Sequence, residues 1–337
     1  MCSTELASSS LKGGLRSQRG AFSTTTAQRD SKAASRPGRY RISACYPSRG
    51  DCARFIFIAC FSVLQVGCGL TLQQRAAVER FSAATIDFAT LTSSELVRSR
   101  TDVLEMNTLR VQLNDDTVKL DRMDAHFTVE QVKVRVDAMH ALQEYAELLH
   151  TLVTTSQQAQ LQNAADSFVT SLHKVQGVSL SDDKAGAIGL AIQQVGGLVV
   201  EYMRAKAARE VVTASHDSIL QLVDLVRRDF DPKADYWSLG YDLVITALVG
   251  AAEFAAVGPD AAIRAPLVGE AKVMAAQNRA RFSTVAVQVD GSAAALREAQ
   301  INLRYAPQSS DVTLEDINSY VVQLQDFVEI YSILRAK

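Results

Sequence analysis

The sequence predicts an all-α fold, an elongated antiparallel bundle of long, coiled-coil-like helices preceded by a disordered leader. Apolar residues recur at every third or fourth position over most of the chain after residue 68. Only 6 Pro and 17 Gly occur among the 337 residues, a composition that favours helix. Strand-like alternation is not sustained, and turn signals follow one another closely, so we expect neighbouring helices to run antiparallel.

The first predicted helix lies between residue 68 and the turn signal Asn114-Asp115-Asp116. Ser93-Ser94 and Ser99 are candidate positions for a break within it. Its apolar stripe consists of Val78, Phe81, Thr85, Phe88, Thr92, Leu96, Val103, Met106, Leu109 and Leu113.

The next predicted helix begins at Thr128-Val129-Glu130-Gln131, which has the pattern of a capping box. Apolar residues follow at roughly heptad spacing from Val132 to Val153, and the pattern extends to about His173. A single helix over this stretch would be about 45 residues and about 70 Å long. Gly177 is expected to end it.

Ser181 is the predicted N-cap of a glycine-containing helix, with two acidic residues in its first turn. Each glycine inside a helix costs about 1 kcal/mol relative to alanine. We therefore expect a close helix–helix approach to offset this cost, and the pattern then continues to Asp231-Pro232. The glycines are Gly186, Gly189, Gly196 and Gly197.

Three more helices are predicted. Residues 241–256 are nearly all apolar and indicate a buried helix that ends at Gly258-Pro259. Residues 262–305 indicate another, and Thr313-Leu314-Glu315-Asp316 opens the last. One face of the last helix carries Ile317, Val321, Leu324, Val328 and Tyr331.

Residues 1–53 are rich in Ser, Thr, Arg, Ala and Gly, and we expect this leader to be disordered. Ten Lys/Arg and three Asp/Glu give residues 1–54 a charge of +7, which leaves −9 on the other 283. That acidic remainder argues against nucleic-acid binding. The leader is either a transit-like segment or upstream sequence that is not translated. In the second case translation would begin nearer Arg54, at a start codon other than that of methionine.

Residues 54–68 form a predicted signal or anchor segment, followed by a single helical domain over residues 69–337. No charged residue lies between Phe55 and Gln74, but the strongly apolar part ends at Leu64 and is too short to span a bilayer. A basic flank, a short apolar run and then small residues are typical of a secretory signal.

The segment Leu64-Gln65-Val66-Gly67-Cys68 resembles a bacterial lipoprotein signal, although Gln65 stands where that family prefers Leu. The resemblance implies that Cys68 receives a diacylglycerol thioether and becomes the mature N-terminus, with Gly67 the last residue removed. Gly69 occupies the second mature position, where a residue other than Asp implies the outer membrane. An uncleaved short anchor and an ordinary secreted or organelle-targeted protein are the alternatives.

The strongest enzyme hypothesis is a ferritin-like metal site. Glu147 and His150 share one helix face, Glu144 lies one turn earlier, and Asp137 and His140 repeat the spacing. No second Glu-x-x-His follows, so solvated or half-buried polar positions are the simpler interpretation. All five cysteines lie within the first 68 residues, which excludes a cysteine metal site or disulfide framework beyond them.

Other catalytic patterns are missing from the sequence. It contains no Gly-x-Ser-x-Gly nucleophile motif, and the glycines after Ser181 do not form a phosphate loop. Asp290-Gly291-Ser292 is interpreted as a loop or a helix break.

An aromatic cluster between two helices, Tyr236, Trp237 and Tyr241, is either an exposed partner contact or a plug at the end of the core. Arg227-Arg228 and the pair Arg279 and Arg281 are expected on solvated helix faces.

Three functions remain open. The first is a non-enzymatic lipoprotein of the cell envelope, without cofactor, anchored in the outer membrane and facing the periplasm, which acts as a helical scaffold or binds a protein partner through its helical surface. The second is a metal-binding helical enzyme centred on His140, Glu144, Glu147 and His150. The third is a soluble coiled-coil adaptor with a cleaved transit leader.

Overall fold

The computed structural model describes residues 71–195, 201–231, 237–305 and 310–335. All of them belong to one compact unit, Phe61–Lys337. The predictions for the leader, for the signal segment with Gly67 and Cys68, for Gly196 and Gly197, and for Tyr236 lie outside the described residues.

The described residues form eight α-helices and no strand, which confirms the all-α fold. One turn of 3-10 helix, Leu120–Arg122, lies between the first two. The helices are α1 Leu72–Gln112, α2 Val129–Thr154, α3 Gln158–Lys174, α4 Asp182–Val195, α5 Glu201–Phe230, α6 Trp237–Val257, α7 Ala261–Tyr305 and α8 Ser310–Arg335.

Side-chain caps begin several helices. The Thr128 hydroxyl accepts a hydrogen bond from the Gln131 amide at 3.3 Å, and the Ser181 hydroxyl accepts one from the Lys184 amide at 3.4 Å, as the sequence predicts. α1 begins with a complete capping box that we did not predict. Thr71 accepts from the Gln74 amide at 3.1 Å, while the Gln74 side chain accepts from the Thr71 amide at 3.0 Å.

α1 runs unbroken for 41 residues, so neither serine position interrupts it. The Ser94 hydroxyl donates to the Thr90 carbonyl, and the Ser99 hydroxyl donates to the Glu95 carbonyl, each at 2.9 Å. A serine hydroxyl that donates to the carbonyl four residues earlier has its hydrogen-bond partner inside the helix, so the helix continues through the serine.

The predicted helix of about 45 residues is two helices. α2 ends at Thr154, Thr155 is extended with φ −103° and ψ 152°, and α3 restarts at Gln158. The Thr155 hydroxyl accepts a hydrogen bond from the backbone amide of Gln157 at 3.2 Å, so this amide has a partner in the short connection between α2 and α3. Gly177, at φ +80°, follows the end of α3 as predicted.

Close helix packing occurs at a different glycine from those predicted. A Cβ at Gly186 or Gly189 would meet no atom within 4 Å, so the expected close approach is absent there. Asp290-Gly291-Ser292 is neither a loop nor a break, since α7 continues through it. A Cβ at Gly291 would meet the Gln323 amide nitrogen of α8 at 3.2 Å, which places a tight contact at this helix pair.

The core lies around α1 and α7. α1 packs against α2, α6, α7 and α8, and α7 also packs against α5 and α6. α2, α3, α4 and α5 pack one against the next, and α2 also contacts α5. Large side chains that are fully buried include Phe81, Phe88, Tyr145, Phe168, Phe230, Tyr241, Tyr320 and Phe327.

α8 begins at Ser310, three residues before the predicted start at Thr313. Ile317, Leu324 and Tyr331 are buried as the pattern predicts, whereas Val328 is 39% exposed. Tyr320 and Phe327, which the predicted stripe did not include, are fully buried, so the buried face of α8 is displaced relative to the predicted one.

Candidate functional site

Among the described residues, the largest concentration of buried charge surrounds Arg281 of α7. Its guanidinium donates to the Glu95 carboxylate at 2.7 Å and to the Asp102 carboxylate, both on α1. The Tyr241 hydroxyl of α6 donates to Asp102 at 2.8 Å. Glu95 and Asp102 are seven residues apart, two helical turns, and so face the same side of α1. We call these four residues the Arg281 cluster.

Burial governs the acid–base behaviour of the Arg281 cluster. It raises the pKa of Glu95, against the opposing effect of Arg281 and with a further rise from the Asp102 charge. Burial by itself lowers the pKa of Arg281, but the adjacent carboxylates bring that pKa above its ordinary value. Burial and then the Asp102 charge raise the pKa of Tyr241, so the phenol keeps its proton and donates it.

A second buried ion pair joins α2 and α5. Arg135 holds Asp229 with two nitrogens, Nε at 2.7 Å from Oδ2 and Nη2 at 2.9 Å from Oδ1. The guanidinium also lies 4.6 Å from the centre of the Trp237 ring. The Ser238 hydroxyl donates to the Asp229 carbonyl at 3.0 Å. We call these four residues the Arg135 cluster.

Phe127 connects the two clusters. Its ring centre lies 4.4 Å from that of Trp237 and 6.1 Å from that of Tyr241. Trp237 and Tyr241 are 2% and 0% exposed. Of the two alternatives that the sequence left open, these values favour packing in the core over an exposed partner contact, because both rings lie inside the bundle.

The burial of Arg281 differs from the solvated position that its sequence context predicted. Of the arginines expected on solvated faces, Arg279 is exposed and pairs with Asp242 at 3.2 Å, and Arg227 is partly exposed and pairs with Asp290 at 3.0 Å. Arg281 is 7% exposed. The sequence signal for a buried basic residue lay on α1, where two acidic residues occupy core positions of the apolar stripe. That stripe reads Phe88, Thr92, Glu95, Ser99, Asp102 and Met106, all buried.

The predicted metal ligands do not converge. The His140 side chain is 51% exposed and lies 3.6 Å from Glu144, while His150 is exposed. Glu147 accepts a hydrogen bond from Gln143 at 2.9 Å. Burial and then the Glu147 charge raise the pKa of Glu144. Among the described residues no three His, Cys, Asp or Glu side chains are placed to hold a metal ion, so the structure does not support this ligand set.

The prediction that α6 is a buried helix is right for one face only. Leu239, Leu243, Phe254 and Val257 are 40%, 55%, 75% and 83% exposed and share one helix face, on which the exposed Thr246 and Gly250 separate the first two from the last two. Among the described helices α6 alone is long and apolar enough to cross a membrane, and 39% of its apolar window is buried. A core helix of a soluble protein meets the same criterion.

Comparison with known proteins gave no match: no family model, no curated protein and no solved structure is significantly similar to this chain.

Proposed function

We propose that the chain is a non-enzymatic, lipid-anchored module of the cell envelope that serves as a helical scaffold or binds a protein partner. The observation that carries this proposal is the use of its buried charges. Within the Arg281 cluster the charged groups pair between α1 and α7, and within the Arg135 cluster they pair between α2 and α5. α6 contributes the Tyr241 hydroxyl to the first cluster and the Trp237 ring to the second. Such pairing suits cross-links between helices better than catalysis on a substrate.

The lipid anchor in this proposal is Cys68. Only three residues separate it from Leu72, where α1 begins, so an acyl chain there would hold the start of α1 within about 14 Å of the membrane surface. The diacylglycerol of the lipoprotein modification supplies two chains, which stable anchoring requires. The proposed location is the outer membrane, facing the periplasm.

Protein binding in this proposal uses the helical surface. The outer face of α6 offers a partner apolar area, since its exposed leucines, phenylalanine and valine follow one stripe.

The anchor is tested by growing cells that express the full chain with a radiolabelled fatty acid. Label is expected on the wild type and on Cys60→Ser, a matched cysteine of the same apolar segment, and no label is expected on Cys68→Ser. An unlabelled wild type, or equal label after Cys68→Ser, would refute the anchor. Mass spectrometry of the mature N-terminus separates this proposal from a soluble adaptor, because an acylated N-terminal Cys68 excludes the adaptor.

A further inference from the structure

Two rows of exposed, uncharged residues run along the outside of the hairpin formed by α6 and α7. Each row follows helical spacing, and every member is exposed. The row on α6 consists of Leu239, Leu243, Thr246, Gly250, Phe254 and Val257. The row on α7 consists of Ala262, Pro266, Gly269, Val273, Ala276, Ala280, Ser283 and Val287. We call the two rows together the α6–α7 face.

Arg279 of α7 connects the two rows. Its Nη2 lies 3.2 Å from the hydroxyl of Thr246, a member of the α6 row. Its Nε lies 3.2 Å from Oδ1 of Asp242, so the arginine is already paired with an acid. In sequence Arg279 directly precedes Ala280 of the α7 row. The face is therefore continuous across the two helices, and the charges at the seam balance.

The α6–α7 face is large enough for a stable protein interface. Its six large apolar residues range from 40% exposed at Leu239 to 83% exposed at Val257. With the smaller residues of the two rows they present roughly 900 Å² to water, against about 800 Å² that each partner buries in a standard interface.

The spacing on α7 is that of a helix-packing seam. Steps of four and three residues alternate from Ala262 to Val287, the heptad pattern with which one helix packs against another. Helices that lie on a lipid surface typically carry unpaired Lys and Arg beside their apolar residues. Here the arginine at the seam is bound to Asp242. The pattern therefore favours a protein helix over lipid as the occupant of the face.

The α7 row is complementary to itself when one copy is reversed against another. It is symmetric about a point between Val273 and Ala276. In an antiparallel pair, Val273 of one copy faces Ala276 of the other, and Val287 faces Ala262. Each valine thus meets an alanine, which is the self-matching that a two-fold interface requires.

The α6 row has its centre at the same height. It is symmetric about a point between Thr246 and Gly250, so that reversal brings Leu239 of one copy opposite Val257 of the other. Because Arg279 contacts Thr246, the centre on α6 lies within about one helical turn of the centre on α7. A single two-fold axis can therefore serve both rows.

We propose that the α6–α7 face binds a second copy of this chain, and that the two hairpins form a two-layer, four-helix interface around a two-fold axis. This inference rests on the partner-binding part of the proposed function and does not depend on the anchor at Cys68.

The first test is sedimentation equilibrium of the full chain, made as Cys68→Ser so that no acyl group is present. At about 50 µM, within the affinity range of interfaces of this size, the mass should be twice the 36.6 kDa of the chain. Val273→Lys puts a charge at the centre of the interface in both copies and should give the monomer mass.

Val322→Lys is the matched control, because Val322 of α8 is 56% exposed, as is Val273. It should keep the dimer mass. A monomeric parent would overturn the proposal, and so would a Val273→Lys variant that stays dimeric. Flotation of a monomeric parent with phosphatidylcholine vesicles would assign the face to lipid and overturn it as well.

The second test is disulfide cross-linking in a form whose five native cysteines are replaced by Ser. Ala262→Cys combined with Val287→Cys should give a covalent dimer under mild oxidation. Neither substitution alone should do so, because the helix between positions 262 and 287 is about 37 Å long. Absence of the link in the combined variant, or a link in either single variant, would contradict the antiparallel pairing.

The two proposals fail separately. A monomeric chain whose wild type carries label at Cys68 would remove this inference and leave the anchor standing. A dimer with the expected cross-link and no label at Cys68 would keep this inference and refute the anchor.

Discussion

The Arg281 and Arg135 clusters bury guanidinium groups to the same extent but differ in their balance of charge. Among the described residues, Arg135 pairs with the Asp229 carboxylate and lies over the face of an indole ring. Arg281 faces two carboxylates and a phenol that donates to one of them. Depth of burial alone therefore does not define a buried ionic site. The number of carboxylates per cation sets what remains when one group is removed and how the site responds to pH.

The largest expected effect is that of Arg281→Met. It leaves Glu95 and Asp102 buried without their shared cation, so we expect a loss of about 5 kcal/mol in the free energy of unfolding, measured by urea denaturation. Arg279→Met, two residues away and exposed, is the control and should change stability by less than about 0.5 kcal/mol. Similar losses in the two variants would contradict the internal role of Arg281.

Arg135→Met should cost less, about 3 kcal/mol, because among the described residues it unpairs one carboxylate, that of Asp229. Trp237 is the only tryptophan of the chain, so its fluorescence reports directly on the loss of the adjacent guanidinium. If Arg135→Met destabilises more than Arg281→Met, charge balance is not what distinguishes the clusters.

Glu95→Gln converts the Arg281 cluster to one acid per cation and so tests the pH dependence. Because burial raises the pKa of Glu95 above 4.5, the folded chain holds this proton more tightly than the unfolded chain. The free energy of unfolding of the wild type should therefore fall as pH rises from about 4.5 through the raised pKa, by about 1.4 kcal/mol for each pH unit between the two values.

In Glu95→Gln that contribution is absent, and the difference between variant and wild type isolates it from the other acids. Urea denaturation at a series of pH values measures both curves. Parallel curves from pH 4.5 to 7 would show that Glu95 does not titrate as its burial requires.

Tyr241→Phe should have the smallest effect. It removes one hydrogen bond to Asp102, which keeps its contact with Arg281, so we expect a loss of about 1 kcal/mol. Tyr202→Phe, at a position 48% exposed, should be neutral in the same measurement. A loss as large as that of Arg281→Met would mean that the phenol, and not the guanidinium, holds the cluster together.

Local signals in the sequence predicted much of the fold. The stripe from Phe81 to Leu113, the cap at Thr128 and the cap at Ser181 depend on residues within a few positions of one another. The break at Thr155 escaped because the heptad pattern continues on both sides of it. An apolar pattern shows only which face of a helix is buried. The buried residues of α2 and α3 keep the spacing that one continuous helix would have, so the pattern does not reveal the break.

The sites depend on contacts that no local pattern contains. Glu95 and Arg281 are 186 positions apart, and Arg135 and Asp229 are 94 apart. Periodicity could show that Glu95 and Asp102 occupy core positions, but not which basic residue meets them. For the same reason the aromatic cluster around Trp237 could be placed between two helices but not assigned to the interior, since Phe127 comes from a distant turn.

The distance in sequence between Glu95 and Arg281 has a consequence for the order of events during synthesis. α1 leaves the ribosome long before α7, so its two core carboxylates must stay hydrated until most of the chain has emerged. Fragments that end before Arg281 lack the guanidinium that pairs with both carboxylates, and should remain open and sensitive to proteases. The last third of the polypeptide thus decides when the first third can become compact.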